Sequence, residues 1–462
     1  ETSEYTCYSP GHGAYSRLDR FLISEDMMND IRDTKHLGRY LSDHAPVVAT
    51  YECGQQSNNR MTWRLRVETL ADPVFREDLG RTLDGHININ WRSTANRSTE
   101  WATIKVITRG ECLSRIVGTR KLLESELGVA ENELTVLQHG DRGLDEKDLE
   151  LIAVRRRIGE IWDRLDRFVR LEYRQRLHRE GDRSGRLLAW LLKRERPPPV
   201  IIALKKPDGS MLRTQQNICN FLKDHLTMVY KATEINDINY TCEFLNRIQI
   251  PRISEEHARG LEIKLEREEL AMALKSMGKA KAPGPDGLPV EFYTTYTQLL
   301  LPRLLETIEE AHERGILPDT MREASIVMLP KPDREPTDPG SYRPLSMMGV
   351  DIKILSKALA NRLSLVVPTL VHEDQCGFVA GRGTHMNLRR LTHVQQSTDS
   401  VNNAGALVAL DIEKAFDTLG WSYLWEVLKR MGFGPKFLSW IKLLYDRPVA
   451  RVRLGVVLSE II

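Results

Sequence analysis

From Ala406 to Asp417 the chain reads Ala-Leu-Val-Ala-Leu-Asp-Ile-Glu-Lys-Ala-Phe-Asp, an apolar run that closes on the carboxylate of Asp411, with an aromatic, Phe416, five positions later. A short apolar run predicts a strand, so a sheet is expected around it with Asp411 delivered at the strand's end. An aspartate there can equally be the N-cap of a helix, with Phe416 a core residue. No Asp-Asp pair follows Asp411; the later aspartates are Asp417, in the same stretch, and Asp446.

The chain has 462 residues, 41% of them hydrophobic, enough for about two or three ordinary domains. Its formal net charge of +2 excludes nothing, but the distribution is uneven. Between Leu151 and Lys206 there are 16 Lys/Arg against 7 Asp/Glu, which favours a polyanionic partner over a membrane because no long apolar stretch accompanies it. No window approaches the roughly 18 apolar residues of a membrane span. The cysteines Cys7, Cys53, Cys112, Cys219, Cys242 and Cys376 form no CxxC pair or Cys/His cluster, so neither a zinc site nor a disulfide framework is indicated.

Residues 14 to 52 read as strands and turns: Arg17 to Ser24, a polar helix-like stretch, then Ser42 to Tyr51. Two strands cannot bury a core without partners. From about Met61 to Lys193 the apolar spacing is helical, most clearly at Leu151, Val154, Ile158, Ile161, Leu165, Phe168 and Leu171. Arg155, Arg156, Arg157, Arg164 and Arg167 fall largely off that stripe, either as a nucleic-acid surface or as a solvated face paired with its own Glu and Asp. Pro197-Pro198-Pro199 ends the helical region, and a hairpin is predicted around Pro207-Asp208-Gly209-Ser210. Beyond Ser254 helices alternate with short strands, as in an α+β domain.

Five motifs stand in order in this last part. They are Lys281-Ala282-Pro283-Gly284-Pro285-Asp286-Gly287-Leu288-Pro289; Ile326 to Pro332 with Lys331; Ser341-Tyr342-Arg343-Pro344-Leu345-Ser346; Gln375-Cys376-Gly377-Phe378-Val379-Ala380-Gly381-Arg382; and the Asp411 stretch. Gly432-Phe433-Gly434-Pro435 and the helix-like Phe437 to Tyr445 follow. In this order the segment from about 275 to 445 resembles the reverse transcriptase domain of non-LTR (LINE-type) retrotransposons. Taken alone, Lys331 and Arg343 would be ordinary surface charges.

The resemblance implies an RNA-directed DNA polymerase using Mg²⁺, an RNA template and target DNA. Asp411 and the main-chain oxygen of Ile412 would be metal ligands, hard oxygen donors of the kind Mg²⁺ prefers. Phe416 would be the gate against ribonucleotides. Lys331 and Arg343 would meet the incoming triphosphate, and Gly377, Phe378, Gly381 and Arg382 the template. The family's Tyr/Phe-x-Asp-Asp turn has no counterpart after Asp411, so a two-metal site would be underliganded and the chain is expected to be inactive as a polymerase.

At the other end, Arg17-Leu18-Asp19 and Ser42-Asp43-His44-Ala45-Pro46 resemble the last strands of the apurinic-endonuclease-like domain that precedes the polymerase in these elements. His44 would face the scissile phosphate, oriented by Asp19, with Asp43 near the metal; otherwise the Ser-Asp-His turn simply closes a hairpin. The expected organisation is an α+β multidomain fragment, truncated at both ends. It comprises an endonuclease remnant over 1–53, a helical Arg-rich connector over 54–259, and the fingers and start of the palm of a right-hand polymerase over 260–462. The competing reading is a non-catalytic RNA- or DNA-binding protein. By family analogy the location is the cytoplasm and nucleus.

Overall fold

The computed structural model describes residues 5–9, 12, 14–36, 44–45, 47–51, 63–91, 96–139, 150–162, 164, 201–231, 238–400, 406–412, 414–455 and 457–462. The chain divides into two compact units: Glu1–Arg60 with Glu111–Pro198, and Met61–Gly110 with Pro199–Ile462. Neither edge of the expected 54–259 connector is a division between them. Residues 61–110 and 199–259 cluster with 260–462 because their apolar side chains find their partners there.

In the first unit, β1 (Cys7–Ser9) pairs with β2 (Ala14–Ser16), and β3 (Ile31–His36) with β4 (Val47–Tyr51). The strand expected over Arg17–Ser24 does not form; Leu18 and Leu22 of that segment are exposed. Thr6 Oγ1 accepts the N–H groups of both Leu18 and Asp19, which turns the chain out of the ladder. Of the predicted apolar stripe, Leu151 is partly buried and Val154, Ile158 and Ile161 are buried; the rest lies outside the described residues. Val154, Ile158 and Ile161 of a helix over 150–162 pack against Leu123, Leu127, Ala130 and Leu134 of the helix Arg97–His139. Each such aliphatic side chain contributes about 1.5–3 kcal/mol.

The second unit is organised by a four-stranded sheet of order β10-β9-β7-β8. Strands β7 (Glu323–Pro330) and β8 (Tyr342–Met348) are antiparallel, β9 (Val449–Leu454) runs parallel to β7, and β10 (Val457–Leu458) folds back on β9. Alternation sends Ile326, Met328, Tyr342 and Val452 to one face, where Ile218, Cys219, Leu222 and Leu226 of α1 (Gln215–Lys231) cover them. The hairpin predicted around Pro207–Ser210 is present as β5 (Leu204–Lys205) and β6 (Met211–Leu212), and Leu204 enters the same core.

The run 406–410 is not a strand. Leu407, Val408, Leu410 and Ile412 are 75%, 73%, 88% and 73% exposed. A strand exists only through a neighbour that takes up its N–H and C=O groups, and among the described residues none pairs with this segment. Apolar character alone therefore does not place it.

In the same unit, α2 (Arg267–Ser276), α3 (Thr297–Arg314) and α4 (Val350–Ser364) pack together and bury Leu270, Leu274, Leu304, Ile308, Ile354 and Leu355. One arginine joins this layer. Arg362 donates from Nε and Nη2 to the two carboxylate oxygens of Glu269, both at 2.6 Å, and to the carbonyls of Ile263 and Lys264 at 2.7 and 2.9 Å. Burial would raise the Glu269 carboxyl, but the Arg362 hydrogen bonds, the Glu266 N–H and the Arg362 charge together outweigh it and hold the group below its ordinary range. Arg362→Ala is expected to destabilise this unit by about 3 kcal/mol, since it strands Glu269 and the carbonyls of Leu261, Ile263 and Lys264 together. A fall in the urea midpoint checks this; an unchanged midpoint would mean that water replaces the guanidinium.

Candidate functional site

The β7–β8 ladder decides where the two candidate triphosphate ligands point. Arg343 stands opposite Leu329, and the ladder continues through the Lys331 N–H, which donates to the Ser341 carbonyl at 2.8 Å. Lys331 lies two residues beyond Leu329, so Lys331 and Arg343 share one face as diagonal neighbours, opposite the face that α1 covers. Leu329 and Leu345 on that face are 43% and 45% exposed. Lys331 Nζ donates to the Gly340 carbonyl at 2.8 Å, while among the described residues nothing hydrogen-bonds or ion-pairs with the exposed Arg343 head group. The loop between the strands is held by the Gly340 N–H on Asp338 Oδ1 at 2.9 Å and by the Tyr342 hydroxyl on the Pro336 carbonyl at 2.5 Å.

Phe378 and Phe416, one from each of two motifs, meet edge to face with centroids 5.7 Å apart. They are 93% and 81% exposed. Phe378 has φ of 61°, a left-handed conformation that strains a bulky residue. Gly377 and Gly381 flank it. Phe378→Gly is expected to raise stability by about 1 kcal/mol, because an almost fully exposed ring contributes little burial to offset that strain. A lowered urea midpoint would refute this. Arg382 lies at the end of the same loop and is turned inward. Its guanidinium donates to the carbonyls of His372, Gln375 and Pro368 at 2.6, 3.1 and 3.0 Å, so it ties the loop to the short helix Val367–Leu370.

Asp411 and Ile412 are exposed. Among the described residues no three His, Cys, Asp or Glu side chains stand together as a metal site. One carboxylate and one main-chain oxygen do not fill the octahedral shell of Mg²⁺. Two residues that no motif of the sequence marks border this region, both on α1. Burial first, then the Lys414 charge, hold His225 below its ordinary range against the pull of Asp338. Burial first, then Asp417, raise Tyr230. The turn after Asp411 and the β7–β8 loop thus both act on α1.

A further cluster is entirely tertiary. Lys105, in the helix Arg97–His139, donates to Asp286 Oδ2 at 2.9 Å and Asp351 Oδ2 at 2.5 Å, and the three side chains are 7%, 9% and 0% exposed. Trp101 Nε1, one turn earlier, donates to Asp351 Oδ2 at 2.9 Å. Burial alone would lower the lysine, but the two carboxylates more than offset it and raise its pKa. Burial first, then the Asp351 charge, raise Asp286 against the pull of Lys105. A carboxyl raised in the folded state stabilises below its unfolded pKa and loses that contribution as pH rises through the folded value. Asp286→Asn removes this loss, so its stability relative to wild type should grow as pH is taken from the ordinary carboxylate range to pH 8. Urea midpoints of both proteins across that range test the sign. Of this cluster only Asp286 stands in a motif of the sequence, the 281–289 turn; Trp101 and Lys105, at i and i+4 of one helix, carry no comparable signal.

In the first unit, His44 Nδ1 lies 2.7 Å from Asp19 Oδ2, the two being 42% and 41% exposed. Hydrogen bonds from His44 and then Thr6 hold Asp19 below its ordinary range. Asp43 and Arg167 lie outside the described residues. Arg156 pairs with Glu160 at 3.1 Å, Arg157 with Glu133 at 3.4 Å and Arg164 with Glu126 at 3.3 Å, all exposed pairs. Arg155 is exposed. No helix among the described residues is long and apolar enough to cross a membrane.

The β7–β8 hairpin that carries Lys331 and Arg343 on one face opens a segment with a family match. Residues 329–460 match the family described as reverse transcriptase (RNA-dependent DNA polymerase). More particularly, the chain is a relative of the proteins of LINE-type, non-LTR retrotransposons. It is 27% identical over 460 residues to the transposon TX1 uncharacterized 149 kDa protein of Xenopus laevis, covering 98% of this chain and 34% of that protein. Over 189 residues it is 29% identical to the Pol polyprotein of the type-1 retrotransposable element R2 of Popillia japonica, covering 41% of this chain and 25% of that one. Over 218 residues it is 28% identical to the RNA-directed DNA polymerase from mobile element jockey of Drosophila funebris, covering 46% and 23%. The chain thus spans about a third or less of the length of these relatives.

Proposed function

We propose that this chain supplies the fingers and the start of the palm of an RNA-directed DNA polymerase, preceded by the last strands of an apurinic-endonuclease-like domain. By itself it binds a nucleoside triphosphate and nucleic acid without completing polymerisation or strand nicking. The observation that carries this reading is the one face of the β7–β8 ladder that half-buried Lys331 and exposed Arg343 share, an ammonium and a guanidinium of the kinds that suit phosphate oxygens. Against catalysis by the chain alone stands Asp411, exposed and in no group of three metal-ligating side chains among the described residues. The work of such a protein is divided between cytoplasm and nucleus.

Primer extension on an RNA template with deoxynucleotides and Mg²⁺, beside Asp411→Ala, is the direct test. The expected result is no extension above that control. Extension that vanishes in Asp411→Ala would refute the inactivity of the isolated chain.

Binding through the arginines of the 150–164 helix is the weaker alternative, because three of them already face glutamates. Neutralising Arg155, Arg156, Arg157 and Arg164 should change affinity for a single-stranded RNA oligonucleotide less than twofold at physiological salt. A tenfold loss with a shallower salt dependence would make the arginine face the binding surface after all.

A further inference from the structure

We infer that Lys105 is a positioning residue for the candidate triphosphate site. By bridging Asp286 and Asp351 it holds the 281–289 turn against the junction of β8 with α4, and so sets where Arg343 stands. This rests on the reading of Lys331 and Arg343 as triphosphate ligands.

The bridge sits at a point of close backbone approach. A Cβ on Gly284 would lie 2.5 Å from the Met348 carbonyl carbon and oxygen and from the Gly349 nitrogen, so the turn touches the last residue of β8 with no side chain between. Gly349 is the N-cap of α4, and Asp351 stands in its first turn with Oδ1 accepting the Ile352 N–H at 2.9 Å. Asp286 in turn accepts the Leu288 N–H at 3.2 Å, so each carboxylate is fastened to its own backbone. What fastens the two to each other is the Lys105 ammonium.

Without that ammonium, two carboxylates would face each other in a site closed to water, and like charges there repel strongly. Either one carboxylate takes up a proton or the backbone that carries them parts, and in both cases the bridge that fixes their spacing is lost. Strand β8 is joined to β7 through seven consecutive register pairs, from Ala324↔Met348 to Pro330↔Tyr342, so a shift at Met348 is transmitted along the ladder to Arg343. Trp101 adds a second fixed donor to Asp351 and prevents the carboxylate from rotating away from the lysine.

The test is calorimetric titration of the full chain with dTTP in metal-free buffer, so that side chains alone meet the triphosphate charge. Thermal melting runs alongside. Wild type should bind, and Lys331→Ala/Arg343→Ala should not. Lys105→Met is expected to weaken binding about tenfold and Trp101→Phe about threefold, within the range of couplings carried through a packed network. The triple variant Lys105→Met/Asp286→Asn/Asp351→Asn relieves the repulsion and should melt near wild type, yet remain about tenfold weaker because the bridge is gone.

A folded Lys105→Met or triple variant with wild-type affinity would overturn the inference. If Lys105→Met does not fold, Trp101→Phe and the triple variant decide. Binding that needs Lys331 and Arg343 but ignores Lys105 and Trp101 overturns the positioning role alone. Absence of dTTP binding by wild type overturns the triphosphate reading and this one with it.

Discussion

Converting Lys331 and Arg343 together to alanine is expected to lower the affinity for dTTP by about a hundredfold or more. A hydrogen bond to a charged group contributes about 1.5–3 kcal/mol, and about 1.4 kcal/mol is tenfold in affinity. Two such groups on one face therefore multiply to at least that loss, allowing for some coupling between neighbours. The Lys331 side chain gives up one hydrogen bond to the Gly340 carbonyl, and Arg343 gives up none among the described residues, so the melting temperature should stay close to wild type. Arg343→Lys should recover little, because a point charge cannot grip two phosphate oxygens as a guanidinium fork does. An affinity within threefold of wild type for the double variant would remove the triphosphate from this hairpin.

The largest effect on stability is expected at Gly287. Its φ is 75°, and a Cβ there would lie 2.3 Å from the Trp63 carbonyl oxygen and 2.8 Å from the Trp63 ring. The same residue's carbonyl accepts the Leu65 N–H at 2.9 Å, so the two backbones cannot separate without losing a hydrogen bond. Gly287→Ala combines left-handed strain with a backbone clash and should destabilise the second unit by about 3–5 kcal/mol. Gly315 is the matched control: it has a φ of 70° and nothing within 4 Å of a Cβ, so its alanine variant should cost only about 1 kcal/mol. Urea midpoints measure both. Equal losses at the two positions would show that the 281–289 turn is not clamped against residues 63–65.

These expectations draw on the sequence to different degrees. The facing of Lys331 and Arg343 follows from alternation once the strands are paired, and both residues stood out in their motifs beforehand. Arg382 was equally visible, but that its guanidinium turns inward onto carbonyls 7 to 14 residues back is set by the loop's conformation. The Asp411 run shows the opposite failure. Its composition asked for a strand, and composition cannot supply the neighbour that makes one.

By itself the sequence determined the order of the motifs, the α+β character beyond Ser254, the apolar stripe of the 151–161 helix and the turn at 207–210, because each is local and periodic or marked by Gly and Pro. Only the tertiary structure decided that residues 61–110 belong with the polymerase-like unit, and that Lys105 meets an aspartate 181 residues away while Trp101 meets another 250 away. Contacts at such separations leave no spacing to read. They are selected by burial, which accepts a charged lysine only where two carboxylates already wait for it.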